Sequence, residues 1–183
     1  MGLDRTKINC LDNGLFMKLN FPQNKIIFYA NRYAYQEDDK ILEIGKRVQK
    51  RGHYNKVEFL TLTAWKTPRS KPLCANNDDA LIKEVTKIAL KTKNEYLKIN
   101  ILQILKGVSM PTASVLLHFA TNFNYPILDF RALWSLGVVM GAKYDFELWD
   151  SYTKFCRKLS NKAKVDMRTL DRALWQYSKE HQK

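Results

Sequence analysis

The chain has 183 residues, of which 45% are hydrophobic, and this is enough apolar material for one domain with a substantial core. Lysine and arginine total 31 against 18 acidic residues, so a net charge of +13 favours a polyanionic partner such as nucleic acid. No apolar run is long enough to span a bilayer, and the first residues lack the apolar segment of a secretory signal. The bland alternative for the charge is a solvated basic surface that aids solubility.

The cysteine pattern argues against a zinc-binding protein and against a disulfide-stabilised protein. Cys10, Cys74 and Cys156 are odd in number and scattered, without the paired spacing of a zinc site or a disulfide framework. The three histidines also lie far apart along the chain, so the sequence predicts no metal centre. We therefore expect a protein of the reducing cytoplasm that requires no cofactor.

The first third of the chain changes from irregular to helical. Residues 1–35 are irregular and rich in aromatic side chains, and residues 25–30 fit either a short strand or a buried helical turn. Helical periodicity then predicts helices over 37–50 and 56–65. A proline stops the second helix, and residues 66–72 form a basic loop that contains two prolines.

The rest of the chain repeats its apolar residues with helical period throughout. Asparagines and aspartates at 76–79 offer N-cap oxygens for the helix that follows. The predicted helices cover residues 79–91, 94–106, 111–121, 129–136, 146–159 and 165–177. The sequence therefore predicts an all-α protein that forms a single domain over residues 1–183, with no repeat of fixed period.

The most informative pattern lies within residues 99–137, where one apolar helix ends at Gly107 and another starts near Pro111. A tight turn between two close helices usually needs a positive φ, which glycine adopts at little cost. The N–H groups from Ser109 to Ala113 begin a helix, have no intrahelical partners and suit a phosphate. The alternative is an ordinary helical hairpin within a core.

This pattern resembles the helix-hairpin-helix DNA glycosylase superfamily, which includes endonuclease III and the adenine, 3-methyladenine and 8-oxoguanine glycosylases. The resemblance is carried by Leu-x-Gly-Val-x-x-x-Thr-Ala-x-x-x-Leu around Gly107 and by Asp129, 22 residues after that glycine. Asp129 ends the segment Pro126-Ile-Leu-Asp, which is similar to the family's proline–hydrophobic–aspartate segment.

The resemblance implies a compact all-α, glycosylase-like fold, a monomer, duplex DNA as the partner and Asp129 as the catalytic carboxylate. It also implies that the hairpin grips a phosphate and that its carbonyls can hold a structural cation, as in relatives. Together with the basic loop, the expected DNA contacts are Lys106, Gly107, Val108, Ser109, Thr112, Lys66, Arg69 and Arg131.

Departures from the family pattern narrow the expected activity. Ser109 stands where the hairpin usually has a second glycine, and Pro111 stands where bifunctional members carry the lysine that forms a Schiff base. The C-terminal iron–sulfur cysteines are also missing from the sequence. The resemblance thus implies a monofunctional enzyme unless another lysine substitutes. The alternative is a non-catalytic DNA-binding module that keeps the hairpin as a phosphate clamp.

In a monofunctional glycosylase the target base is flipped out of the stack, and its glycosidic bond breaks as positive charge develops on the sugar. A carboxylate beside the sugar stabilises that charge and can activate the attacking water. Asp129 is the candidate for this role. It also suits the N-cap of the following helix, and the two roles can coexist.

A flipped base needs aromatic walls, for which Trp65, Tyr125 and Trp134 are the candidates. Trp65 precedes the basic loop directly, which is typical of a nucleic-acid contact. Aromatic residues at helical spacing more often belong to a core, and this alternative applies above all to Phe130 and Trp134. Asp171, in the last predicted helix, belongs either to a buried polar network or, as we expect, to the surface.

Overall fold

The computed structural model describes residues 16–33, 38–138, 141 and 143–182. Over these residues it contains helices and no strand, which confirms the predicted all-α class. The helices are α1 (Ile26–Asn31), α2 (Asp38–Arg51), α3 (Lys56–Lys66), α4 (Lys71–Ala75), α5 (Asp79–Lys91), α6 (Glu95–Leu102), α7 (Met110–Ala120), α8 (Phe130–Ser135), α9 (Phe146–Ala163) and α10 (Met167–His181). None of them is both long enough and apolar enough to cross a membrane.

Two segments differ from the sequence prediction. The predicted basic loop contains a 3-10 turn, Pro68–Ser70, followed by α4, because each proline occupies a first-turn position where its missing N–H is not needed. The helix predicted to run to residue 106 ends at Leu102 and gives way to successive turns. Residues 26–31 form a helix rather than a strand. Glu37 and Cys10 lie outside the described residues.

Helix α7 is the centre of the molecule. All of its residues except Pro111 are buried, and this explains why the helix carries its own apolar side chains on every face. Helix α2 approaches it closely at Gly45, where an added Cβ would stand 2.7 Å from the carbonyl oxygen of Phe119. The Gln49 side chain donates a hydrogen bond of 2.8 Å to that same oxygen. Glycine is therefore required at position 45 by close packing.

The segment after α7 doubles back along it and carries Asp129 toward the start of α7. Asn122 and Phe123 take positive φ values of 53° and 61° and reverse the chain direction. The His118 Nδ1 atom then lies 2.7 Å from the Tyr125 carbonyl oxygen, and the Leu128 N–H donates to Ser114 Oγ at 2.8 Å. Since Ser114 lies in the first turns of α7, Asp129 comes to the N-terminal end of that helix.

Helix α10 fixes α8 and the beginning of the described chain in place. It packs against α1, α8 and α9, and Ser135 Oγ donates a 2.6 Å hydrogen bond to the Leu174 carbonyl oxygen. The backbone N–H groups of Lys18 and Asn20 donate to the end of α8 at 2.9 Å each. The element that follows Asp129 is thereby held on both sides.

Candidate functional site

The turn between α6 and α7 is built around Gly107, which has a φ of +79°. An added Cβ there would stand 2.8 Å from Cys74 Sγ and 3.0 Å from Leu73 Cβ, so α4 packs directly on this glycine. The Val108 N–H closes the turn on the Leu105 carbonyl oxygen at 3.0 Å. Both the backbone conformation and the contact with α4 therefore require glycine.

The Asn77 side chain is hydrogen-bonded to the backbone of the turn, a role that the sequence pattern did not reveal. Its Nδ2 donates to the Lys106 carbonyl oxygen at 2.9 Å, and its Oδ1 accepts the Lys106 N–H at 2.8 Å. The same amide also donates to the Cys74 carbonyl oxygen at 2.9 Å. The N-cap of α5 is Asp78, so Asn77 is left to join α4 to the turn.

The turn exposes part of the predicted phosphate-binding set and buries the rest. Lys106 and Ser109 are exposed, whereas Val108 and Thr112 face the core, with Thr112 only 1% exposed. Ser109 is the N-cap of α7, and its side chain makes no capping hydrogen bond. Of the expected N–H groups, Pro111 has none and the Ala113 N–H already donates to the Ser109 carbonyl oxygen at 2.8 Å. A ligand at this turn can therefore use the N–H groups of Ser109, Met110 and Thr112, the Ser109 hydroxyl and the Lys106 amine, but not the Thr112 hydroxyl.

The Asp129 carboxylate has a different partner on each oxygen. Its Oδ1 accepts the Arg131 backbone N–H at 2.9 Å and thus caps α8. Its Oδ2 accepts from Lys66 Nζ at 2.6 Å, and the two side chains are 18% and 12% exposed. Lys66, which the sequence predicted to contact DNA, therefore binds Asp129 in this structure. Because capping of α8 uses only Oδ1 of Asp129, its Oδ2 atom faces other groups.

Asp129 opens on a small pocket of about 80 Å³ at this end of the molecule. Aromatic and charged side chains together form most of its wall. They are Tyr33, Trp65, Lys66, Asp129, Asp171 and Trp175. The ring of Trp65 also meets Phe119 edge to face, with 5.6 Å between centroids, which ties the pocket to the central helix.

Asp171 is buried, with 7% of its surface exposed, so the expectation that it lies on the surface was wrong. Arg168 Nη1 lies 2.6 Å from its Oδ2. The pKa of Asp171 is raised to about 6, chiefly by burial and to a smaller extent by Asp129, while Arg168 and Lys66 oppose the rise. The sequence held only a weak signal for this burial, because Asp171 borders the apolar face formed by Met167, Leu170 and Leu174 and does not lie within it.

The three aromatic residues predicted for a base pocket do not share one cavity. Trp65 lines the pocket beside Asp129. Tyr125 is buried elsewhere, stacked on Trp149 at 5.6 Å, with its hydroxyl hydrogen-bonded to Glu95 at 2.9 Å. The ring of Trp134 packs on Tyr177 at 5.8 Å. Tyr33 and Trp175, which sequence reasoning did not select, line the pocket beside Asp129 in place of Tyr125 and Trp134.

The predicted contacts Arg131 and Arg69 lie near the pocket in different surroundings. The Arg131 guanidinium lies over the rings of Phe130 and Trp175 at 5.0 and 5.6 Å, while its backbone rather than its side chain holds Asp129. Arg69 is exposed on the 3-10 turn after α3. Phe130 is 42% exposed, so it does not belong to the core as expected.

A single basic segment, residues 66–74, connects the pocket with the turn. It begins at Lys66, which holds Asp129, and ends at Cys74, which contacts Gly107. Arg69 and Lys71 are exposed between these points. We call this region, formed by residues 66–74 and 106–110 together with Asp129, the hairpin end of α7.

A larger opening of about 470 Å³ lies at the opposite end of α7. The cationic side chains that line it form hydrogen bonds with the backbone. Lys98 Nζ donates to the carbonyl oxygens of Ala89 and Thr92 at 3.0 and 2.6 Å. Arg157 Nε donates to the Asn124 carbonyl oxygen at 3.0 Å. Burial lowers the pKa of Lys98, and burial together with Glu95 raises the pKa of Tyr125 to about 12. We call this opening the far groove.

Within the described part of the chain, no group of three or more histidine, cysteine or acidic side chains is arranged to hold a metal ion. Comparison of the chain with protein-family models, with curated proteins and with solved structures finds no match.

Proposed function

We propose that this protein is a monofunctional DNA glycosylase-like enzyme that binds duplex DNA at the hairpin end of α7 and hydrolyses the N-glycosidic bond of a modified or mismatched base. The observation that carries the proposal is the position of Asp129. Its carboxylate opens on an aromatic-lined pocket at the same end of the central helix as the Gly107 turn. The resemblance to the helix-hairpin-helix glycosylases gives this arrangement its interpretation.

Charge and backbone geometry support DNA as the partner. The first N–H groups of α7 begin a buried helix behind the exposed Ser109, and they carry the positive end of the helix dipole. Lys106, Arg69 and Lys71 are exposed around them. With a net charge of +13, the chain favours a polyanion whose phosphates meet these groups.

Asp129 suits the chemistry of a sugar cation. An ionised carboxylate in a partly buried site stabilises positive charge more strongly than it does in water. The Lys66 ammonium lies 2.6 Å from one oxygen of that carboxylate and holds it in place. The sugar would therefore meet a charged, positioned oxygen, and the attacking water would find its base in the same group.

The pocket has to enlarge before it accepts a base. Its volume of about 80 Å³ is smaller than the ~150 Å³ of a cavity that holds benzene. The Lys66 amine also occupies one oxygen of Asp129. We therefore expect Lys66 and the pocket aromatics to shift as a flipped nucleotide enters.

The test is base release from a panel of duplexes that each contain one damaged or mismatched base. We expect wild-type protein to release at least one base, and Asp129→Asn to lower the single-turnover rate by ~100-fold or more while duplex affinity changes about twofold or less. Asp150→Asn is the matched control, since Asp150 pairs with Lys154 at 2.7 Å on α9, and it should keep the full rate.

A parallel reaction with borohydride tests the monofunctional assignment. Borohydride traps a lysine–sugar imine as a stable adduct, and we expect none because Pro111 has no amine. An adduct that disappears in Lys66→Met would instead make Lys66 the substituting lysine and the enzyme bifunctional.

The second candidate function is a non-catalytic DNA-binding module. It is favoured by the Lys66–Asp129 ion pair, which engages the carboxylate in the absence of DNA. Salt-dependent duplex binding without release of any base from the panel would support this candidate and contradict the enzyme.

A further inference from the structure

The pocket contains a second carboxylate, that of Asp171, in addition to Asp129. Asp171 comes from α10, whereas Asp129 precedes α8 and Lys66 ends α3, so three separate elements bring these groups to one cavity. Asp171 is 7% exposed and lines the pocket wall. Asp171 thus faces a cavity in addition to its ion-pair partner Arg168, and this position points to a chemical role.

The surroundings of the two carboxylates differ in burial and in the groups that contact them. Asp129 is partly exposed, contacts the Lys66 ammonium and accepts a backbone N–H. Asp171 is more deeply buried, and burial favours its neutral form. Two carboxylates in one site with such different surroundings are the usual arrangement of an acid–base pair.

Charged and titratable groups from several elements surround Asp171. Arg168 Nη1 contacts it at 2.6 Å, and Lys66 and Asp129 act on it across the pocket. Tyr152 and Cys156 of α9 interact with it electrostatically, and Tyr33 lines the same pocket. Arg168 and Lys66 favour its ionised form, whereas Asp129 and burial favour the protonated form.

We propose that Asp171 is the general acid of the reaction and delivers a proton to the departing base while Asp129 faces the sugar. This inference rests on the proposed function. Asp171 would be a catalytic residue in the strict sense, because its oxygen would touch the base that occupies the pocket.

The step balances without any co-reactant except water. The C1′–N bond breaks, and its electron pair stays on the base nitrogen as the Asp171 proton is transferred to the base. The sugar cation that remains lies against the Asp129 carboxylate. Water adds to C1′ and gives its proton to Asp129, which returns it to solvent, and Asp171 regains a proton from solvent. The products are a neutral base and an abasic site.

The experiment compares two kinds of leaving group in otherwise identical duplexes. The first kind is a neutral base such as uracil or hypoxanthine, which leaves more easily when protonated. The second is 7-methylguanine, which already carries a positive charge and needs no acid. Single-turnover release is measured from pH 5 to pH 8 for wild type, Asp171→Asn, Asp171→Glu and the Asp150→Asn control.

We expect Asp171→Asn to release the neutral base ~100-fold more slowly and 7-methylguanine within about threefold of the wild-type rate. The wild-type rate for the neutral base should decline as pH rises above 6, and this decline should be absent in Asp171→Asn. Asp171→Glu should recover part of the rate, and retained release of 7-methylguanine shows that the Asn variant is folded.

Several outcomes overturn the inference. An equal loss for both leaving groups would make Asp171 a structural residue, and an unchanged rate for the neutral base would give it no role. Release of 7-methylguanine alone by wild type would show that no acid is needed. If wild-type protein releases neither base nor any other base of the panel, the proposed function itself fails.

Discussion

The two ends of α7 both carry positive charge and an opening, but they use these features differently. At the far groove, Lys98 and Arg157 donate to backbone carbonyl oxygens, and the Tyr125 hydroxyl is bound to Glu95. At the hairpin end, Lys106 and Arg69 are exposed, and Lys66, which lines the pocket, holds the Asp129 carboxylate.

The proposed site is the smaller of the two openings. The far groove is the larger of the two, yet its polar groups close the ends of α5 and the turn after α7. The smaller pocket combines aromatic walls with two carboxylates. A functional site is better located by polar groups whose presence packing alone leaves unexplained.

The largest effect is expected at the turn, where Gly107→Ala should lower the free energy of unfolding by about 3 kcal/mol or more. The added Cβ would stand 2.8 Å from Cys74 Sγ in a backbone with φ of +79°. Urea unfolding measures this loss, and duplex affinity should fall as the turn shifts.

Gly52→Ala is the matched control for this prediction. Gly52 also has a positive φ, +83°, but an added Cβ there would meet nothing within 4 Å. It should lose only about 1–2 kcal/mol of stability, the usual penalty for a side chain in the left-handed region, and keep full duplex affinity. Equal losses at both glycines would contradict the packing role of α4.

A second prediction concerns the pH dependence of stability at the pocket. The pKa of Asp171 is raised to about 6 in the folded state, so the folded protein binds this proton more tightly than the unfolded chain. Wild type should therefore gain stability relative to Asp171→Asn as pH falls from about 7 to about 4, by up to about 3 kcal/mol.

Chemical denaturation of both proteins across that pH range checks this sign. His118 acts in the opposite direction, because its burial lowers its pKa well below the ordinary value, but it is present in both proteins and cancels in the comparison. A stability difference that stays constant with pH would place Asp171 in an environment where its ionised form is not penalised.

The smallest effect is expected from a single exposed cation. If Lys106 contacts one phosphate, Lys106→Ala should reduce the slope of log affinity against log salt by about 0.9. Arg157→Ala, in the far groove, should leave the slope unchanged. A change in slope for Arg157→Ala but not for Lys106→Ala would move the DNA to the other end of α7.

The sequence was sufficient for elements that depend on local signals. The bounds of α5 were predicted from a capping aspartate followed by apolar residues at helical spacing, and the structure has it at Asp79–Lys91. The turn at Gly107 followed from the need for a positive φ. Helix α4 was missed because prolines were interpreted as loop signals, although both occupy permitted first-turn positions.

The composition of the pocket was beyond local reasoning, because it depends on which elements meet. Trp65, Asp129 and Asp171 come together through the packing of α3, α8 and α10, and no spacing along the chain encodes that contact. Tyr125 precedes Asp129 by only four residues, yet its side chain faces the far groove. The sequence carried only a weak signal for Asp171, which borders the apolar helical face formed by Met167, Leu170 and Leu174.

The most direct test of the central claim does not require knowledge of the base. A duplex that carries a pyrrolidine in place of one deoxyribose presents a cation where positive charge develops in the reaction, and Asp129 should recognise it. We expect wild-type protein to bind this duplex ~100-fold more tightly than the unmodified one, and Asp129→Asn to lose most of that preference. Equal affinity of the wild-type protein for the two duplexes would contradict the proposed role of the hairpin end.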